Sequence, residues 1–268
     1  VRWHQKLTDK IVSSRGAPLI SIDASVDTFH QFTLDGANWN RSRFVEHWVP
    51  KAKPIVPLPM VMHAAMPHAR LIVVFREPVG RLWSHYKFIK GDVEHKPVSG
   101  ADFDVLVAKE VTAYQTCYAR SGDACAFGLV GAYAPPLRKD RVVNTNFPGL
   151  NIGLYIVHLR VWRVAFGAEA LLVERFEDMV SAVDGRQAAM QRVLAHLGLP
   201  ARPASPTATP TDAGKRDAIV NRGRTTSRTP MSDATRDLLR AFYWPYNMAL
   251  ARELNDRRFL WADFASTK

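Results

Sequence analysis

The residues best suited to chemistry stand in one run, Leu71-Ile-Val-Val-Phe-Arg-Glu-Pro-Val-Gly-Arg-Leu-Trp-Ser-His-Tyr86. An apolar, β-branched stretch gives way to Arg76, Pro78 follows, and Arg81 and Ser84 come three residues apart. A guanidinium is a planar fork that matches phosphate oxygens. A serine hydroxyl can add a further hydrogen bond, and residues three apart on a helix share a face. Arg76 would stand at the C-terminal edge of a strand, where ligands bind in open α/β sheets. It would also lie beside the free N–H groups and positive dipole end of a starting helix. Arg76 and Ser84 are therefore candidates for a phosphate-monoester clamp. The structural alternative is an ordinary βα unit with a surface arginine.

A second basic segment is Asn221-Arg-Gly-Arg-Thr-Thr-Ser-Arg-Thr-Pro-Met231. Gly223 lets backbone amides approach an anion, and Arg222, Arg224 and Arg228 supply charge. The alternative is a solvated loop. Other candidates carry less. Glu177 and Asp178 read as a helix cap ahead of catalytic carboxylates. Asp23, His85 and His158 could move protons, although a structural role suits each better. Cys117 and Cys125 would close a short loop if paired and would be two buried thiols if not. The further ligands that a zinc site needs are absent at suitable spacing. Asn40-Arg41-Ser42 is a glycosylation sequon, meaningful only in a secretory compartment.

The elements that must position these groups alternate. Arg70 to Phe75 is a continuous apolar run, the mark of a strand buried on both faces of a parallel sheet. Pro78 supplies a helix start, and the helix continues over Arg81 to Ile89. Ala170 to Glu174 is a second such strand. It follows a helix over Leu154 to Phe166, with Leu154, Val157, Val161 and Val164 as its apolar residues. A further helix, Arg186 to Leu197, carries Met190, Val193, Leu194 and Leu197 and stops at Gly198. Val61 to His68 is helical in composition, whereas residues 36 to 59 look irregular. Leu19 to Ile22 is a short β-prone run. Ser232 can cap a helix over Asp233 to Tyr243, with Pro245 breaking the pattern before a last helix from Asn247 to Leu254. Four prolines between Pro200 and Pro210 mark an exposed loop, taken as residues 200 to 214. Strands alternating with helices predict an α/β fold, a parallel sheet flanked by helices.

The whole chain has 268 residues, 47% hydrophobic and 23% charged, an ordinary globular composition. Its net charge of +11 favours polyanionic partners. The basic residues are spread along the chain without the block that marks a nucleic-acid tail, so nucleic acid is not expected as a partner.

The run from Leu71 to Tyr86 resembles the 3′-phosphate-binding motif of sulfotransferases that use 3′-phosphoadenosine 5′-phosphosulfate (PAPS). The order is the same: apolar strand, Arg-x-Pro, Arg, Ser and an aromatic. Gly153-Leu-Tyr-Ile-Val-His-Leu-Arg-Val-Trp162 is similar to that family's Gly-x-Tyr…Leu…Trp helix. Leu171 to Met179 is similar to its later strand and acidic turn. The Arg222-Gly223-Arg224 segment resembles the Lys-Gly-Arg loop of the heparan-sulfate-type, Golgi carbohydrate enzymes, with Arg222 in place of lysine. Met231 to Trp261 matches their C-terminal helices. The resemblance covers roughly residues 60 to 261 and implies a P-loop-like sulfotransferase fold in a single domain, 1–268. Arg76 and Ser84 would hold the 3′-phosphate, and Arg222, Gly223 and Arg224 would close over the nucleotide. PAPS would be the co-substrate, with no metal. The acceptor would be a glycan or another anionic small substrate, and the compartment the Golgi lumen or membrane. Any membrane contact would come through a segment absent from this chain.

Two departures shape the expectation. The family's N-terminal Lys-x-Gly-Thr turn for the 5′-phosphosulfate has no counterpart; Ser13 to Pro18 has the wrong composition. Ala24 stands where related enzymes carry a lysine, and Val26 replaces a proline. The chain is therefore expected to lack the first strand and its phosphate loop, with no catalytic base assigned. A non-catalytic polyanion-binding module or an inactive homologue is the alternative. A nucleoside or small-molecule kinase would need a Walker-type loop, which is not visible.

Overall fold

Leu71–Phe75 forms β1 and Leu171–Arg175 forms β2, paired in parallel from Leu71 against Leu171 to Phe75 against Arg175. The computed structural model describes residues 57–127, 149–180, 183–201 and 230–262. Before β1 comes α1, Leu58–Ala65; after it come α2, Pro78–Lys87, and a π-helical turn, Phe88–Val93. Next are the long α3, Gly100–Ser121, and a 3-10 turn, Gly122–Phe127. Helix α4, Tyr155–Phe166, leads into β2, with α5, Phe176–Val180, and α6, Val183–His196, behind it. The last described elements are α7, Asp233–Glu253, and a 3-10 turn, Arg257–Leu260. A parallel pair whose strands lie a hundred residues apart, with helices between them, is an α/β arrangement.

Local signals explain most boundaries. Pro78 opens α2, where a missing N–H costs nothing. Ser99 caps α3 by accepting from the Asp102 N–H at 3.2 Å, and Gly122, at φ 54°, ends it. Ser232 caps α7 in the same way through the Thr235 N–H. On α3, Phe103, Val107, Val111, Tyr114 and Cys117 are buried, one apolar stripe at helical spacing. That stripe meets α7 in a single core, which also takes in Phe75, Leu82, Trp162 and Leu239. Cys117 and Cys125 are disulfide-bonded, tying the end of α3 to the following turn.

Four expectations need correction. β1 is not covered on both faces among the described residues: Phe75 is buried, while Ile72 and Val74 are 39% and 43% exposed. Among the described residues its β-branched run fits strand propensity without double burial. Pro245 does not break the last helix, which runs unbroken from Asp233 to Glu253. Burial of Tyr243, Asn247, Leu250 and Ala251 on both sides of the proline outweighs the lost backbone bond. Val164 on α4 and Met190 on α6 point outward; Trp162 and Ala189 take the core positions. The first helix starts at Leu58, with Pro59 in its opening turn, and ends before Pro67.

Candidate functional site

Both strands end at one cleft of about 500 Å³. Arg76 and Glu77, just past β1, line it together with Phe176 and Glu177, just past β2. Open α/β sheets bind ligands at this edge. The guanidinium of Arg76 lies over the Phe176 ring, 5.0 Å from its centroid, a cation–π contact that leaves the fork at the cleft wall. Helix α7 supplies Arg236, Arg240 and Trp244 to the opposite lining, and Trp261 closes one side.

The start of α2 differs from the sequence expectation. Its first amides are not free for an anion. Glu77 is the N-cap, and its carboxylate accepts from the N–H groups of Val79 at 2.9 Å and of Gly80. Burial holds the Glu77 carboxyl above its usual range, and the nearby Glu177 adds to this; the two capping bonds act the other way. Anion recognition at this strand end therefore falls to side chains. Ser84 lies one turn beyond Gly80 on α2, partly buried and outside the lining of the cleft. Arg81, its helix-face neighbour, is committed elsewhere: it donates to the Gly149 carbonyl.

One peptide group is held at both ends. The Tyr155 hydroxyl donates to the Arg76 carbonyl at 2.8 Å. The Glu77 N–H, the other end of that peptide, donates to Glu177 Oε1 at 2.7 Å. Glu177 Oε2 in turn accepts from Trp261 Nε1 at 3.0 Å, and the buried Arg175 stands 3.7 Å away. The ring of Tyr155 stacks on Phe75 with centroids 4.3 Å apart. Glu177, read as a cap, instead joins β1 to the C-terminal turn. Beside it Asp178 receives a 2.7 Å ion pair from Arg258. Each carboxylate oxygen of Glu77 and Glu177 thus accepts a hydrogen bond.

Gly153 is explained by packing. A Cβ there would stand 2.7 Å from the Tyr243 ring, whose hydroxyl donates to the Leu150 carbonyl. His158 is buried and pairs with the Asn151 carbonyl at 3.1 Å, a structural role. His85 does not line the cleft. Asp23, Asn40, Arg222, Gly223 and Arg224 lie outside the described residues. Sequence reading missed Tyr155, Glu77 and Trp261 as parts of the site. The signal available was their place: next to Arg76 for Glu77, and inside aromatic motifs otherwise read as core for the other two.

A strand-end arginine over a cleft at the C-terminal edge of a parallel pair is the arrangement in which open α/β proteins commonly hold a ligand. The comparisons make this particular. Carbohydrate sulfotransferase 15 of Mus musculus is 31% identical over 201 residues, and that of Homo sapiens is 32% identical over 205. Each match takes in 75% of this chain and 32% of the relative, so the chain spans about a third of their length. Over three quarters of its length the chain is a sequence relative of carbohydrate sulfotransferases. No family model matches it. A solved sulfotransferase from Alicyclobacillus acidocaldarius aligns at a TM-score of 0.47 and 18% identity, over 75% of this chain and 60% of that one. The family assignment rests on the sequence relatives.

Proposed function

We propose that the chain is the nucleotide-recognising part of a carbohydrate sulfotransferase. It would use PAPS to sulfate a glycan hydroxyl or amine in the Golgi lumen. The observation that carries this reading is Arg76, on a fixed peptide at the end of β1 with its guanidinium at the cleft. A planar fork suits a phosphate dianion. In this reading the 3′-phosphate of the nucleotide bonds Arg76 at the cleft, Ser84 is its second ligand by resemblance to the motif although it stands outside the cleft lining, and Arg222, Gly223 and Arg224 close over it. The acceptor oxygen or nitrogen attacks sulfur in line, its proton passes to a base, and the bond from sulfur to the bridging oxygen breaks. Adenosine 3′,5′-bisphosphate departs. The chain's own contribution is positioning and charge stabilisation. The Cys117–Cys125 disulfide supports an oxidising compartment.

The test is calorimetric titration of the chain with adenosine 3′,5′-bisphosphate. Binding is expected, and Arg76→Ala weakens it by at least about tenfold, the cost of losing a charge-assisted fork. Absence of nucleotide binding, with heparin affinity retained, would favour the non-catalytic polyanion-binding module instead.

A further inference from the structure

We infer that Trp261, Glu177 and Tyr155 are positioning residues for Arg76, acting together through the single peptide group that joins Arg76 to Glu77. The inference rests on the reading of Arg76 as the phosphate ligand. It adds residues that lie outside the Leu71–Tyr86 run.

The geometry is closed on every side. The peptide oxygen accepts from Tyr155, and the peptide N–H donates to Glu177. A peptide is planar, so fixing both its ends fixes its plane and with it the direction in which the Arg76 side chain leaves the backbone. Neither partner is adjustable. The Tyr155 ring is buried against Phe75. The Glu177 carboxylate is held by Trp261 on its second oxygen.

Trp261 itself carries the sign of an imposed conformation. It is a buried, bulky residue at φ 49°, ψ 35°, the left-handed region that side chains of this size rarely enter. Such a conformation persists only where the surroundings over-determine it. Here they are the Phe259 ring, edge-on at 5.5 Å, the Tyr155 ring at 6.1 Å and the Glu177 carboxylate. Packing alone would be met by any large aromatic. The indole N–H aimed at Glu177 is the part that packing does not require. A guanidinium binds bidentately only when its fork is aimed, so an error in the peptide plane is transmitted to the anion.

The decisive variant is Trp261→Phe in the full chain, which keeps a smaller aromatic ring and removes the indole N–H. The control is Ser99→Ala, which loosens α3 at its cap, outside the site. Trp261→Phe is expected to weaken adenosine 3′,5′-bisphosphate binding about tenfold, while Ser99→Ala lowers Tm and leaves binding unchanged. In an Arg76→Lys background, where a point charge replaces the fork, the further loss on Trp261→Phe should shrink to about twofold or less. Unchanged binding in Trp261→Phe, or the same loss in both backgrounds, overturns the inference. If the wild-type chain binds no nucleotide, the functional reading falls and amide exchange decides the positioning claim alone. The Glu77 amide should then exchange at least about tenfold faster in Trp261→Phe than in Ser99→Ala, and equal rates would refute it.

Discussion

Tyr155 shows how much one side chain contributes at the residue scale. Its ring packs on Phe75, its hydroxyl holds the Arg76 carbonyl, and burial pushes its ionisation up to about 12. The ordinary value is 10.0, so an unfolded chain loses this proton first as the solution becomes alkaline. The stabilising contribution is fully present below that ordinary value and is lost as pH rises through the folded one. Denaturant midpoints measured from pH 9 to 12 should fall more steeply for the wild type than for Tyr155→Phe. The difference should reach roughly 3 kcal/mol at most. Arg76 was legible in the sequence because a strand, an arginine and a proline in order state their own geometry. The groups that aim Arg76 were not. A tyrosine or tryptophan in an apolar helix or turn reads as core, and here each is core and hydrogen-bond donor at once.

Between elements, the critical contact is α7 against the turn that opens α4. Gly153 leaves just enough room for the Tyr243 ring, and the Tyr243 hydroxyl reaches the Leu150 carbonyl at 2.8 Å. Gly153→Ala should therefore force the ring aside and cost about 1–3 kcal/mol, read as a lower urea midpoint with an unchanged slope. Much of the order of strands and helices followed from continuous apolar runs, helical spacing and Pro78. β1, α2, α4, β2 and α6 stand within a few residues of where their apolar patterns place them. Helix α3 escaped that reading, although Phe103, Val107, Val111 and Tyr114 carry a clear helical repeat. Pro245 misled for a physical reason: a proline's local cost is certain, but burial on both sides of it is a tertiary fact that no local signal carries.

On the scale of the molecule, the disulfide is the one covalent constraint described. It closes a loop of eight residues' separation between two buried sulfurs. Closing so short a loop in the unfolded chain is worth about 2–3 kcal/mol. The Cys117→Ala/Cys125→Ala double variant should lose about that much in chemical denaturation, and reductant should lower the midpoint of the wild type but not of the variant. The Arg222–Arg224 segment lies outside the described residues.

The bonds around the Arg76 peptide have a consequence in time. Tyr155 reaches back 79 residues to Arg76, Glu177 reaches back 100 to Glu77, and Trp261 reaches back 84 to Glu177. None is local, so none can form before long chain segments have closed, and such contacts come late in folding. During synthesis the Arg76 strand leaves the ribosome far ahead of the residues that aim it. A chain released before Trp261 would carry the recognisable motif without its alignment. Refolding followed by nucleotide binding should accordingly lag behind refolding followed by helical circular dichroism.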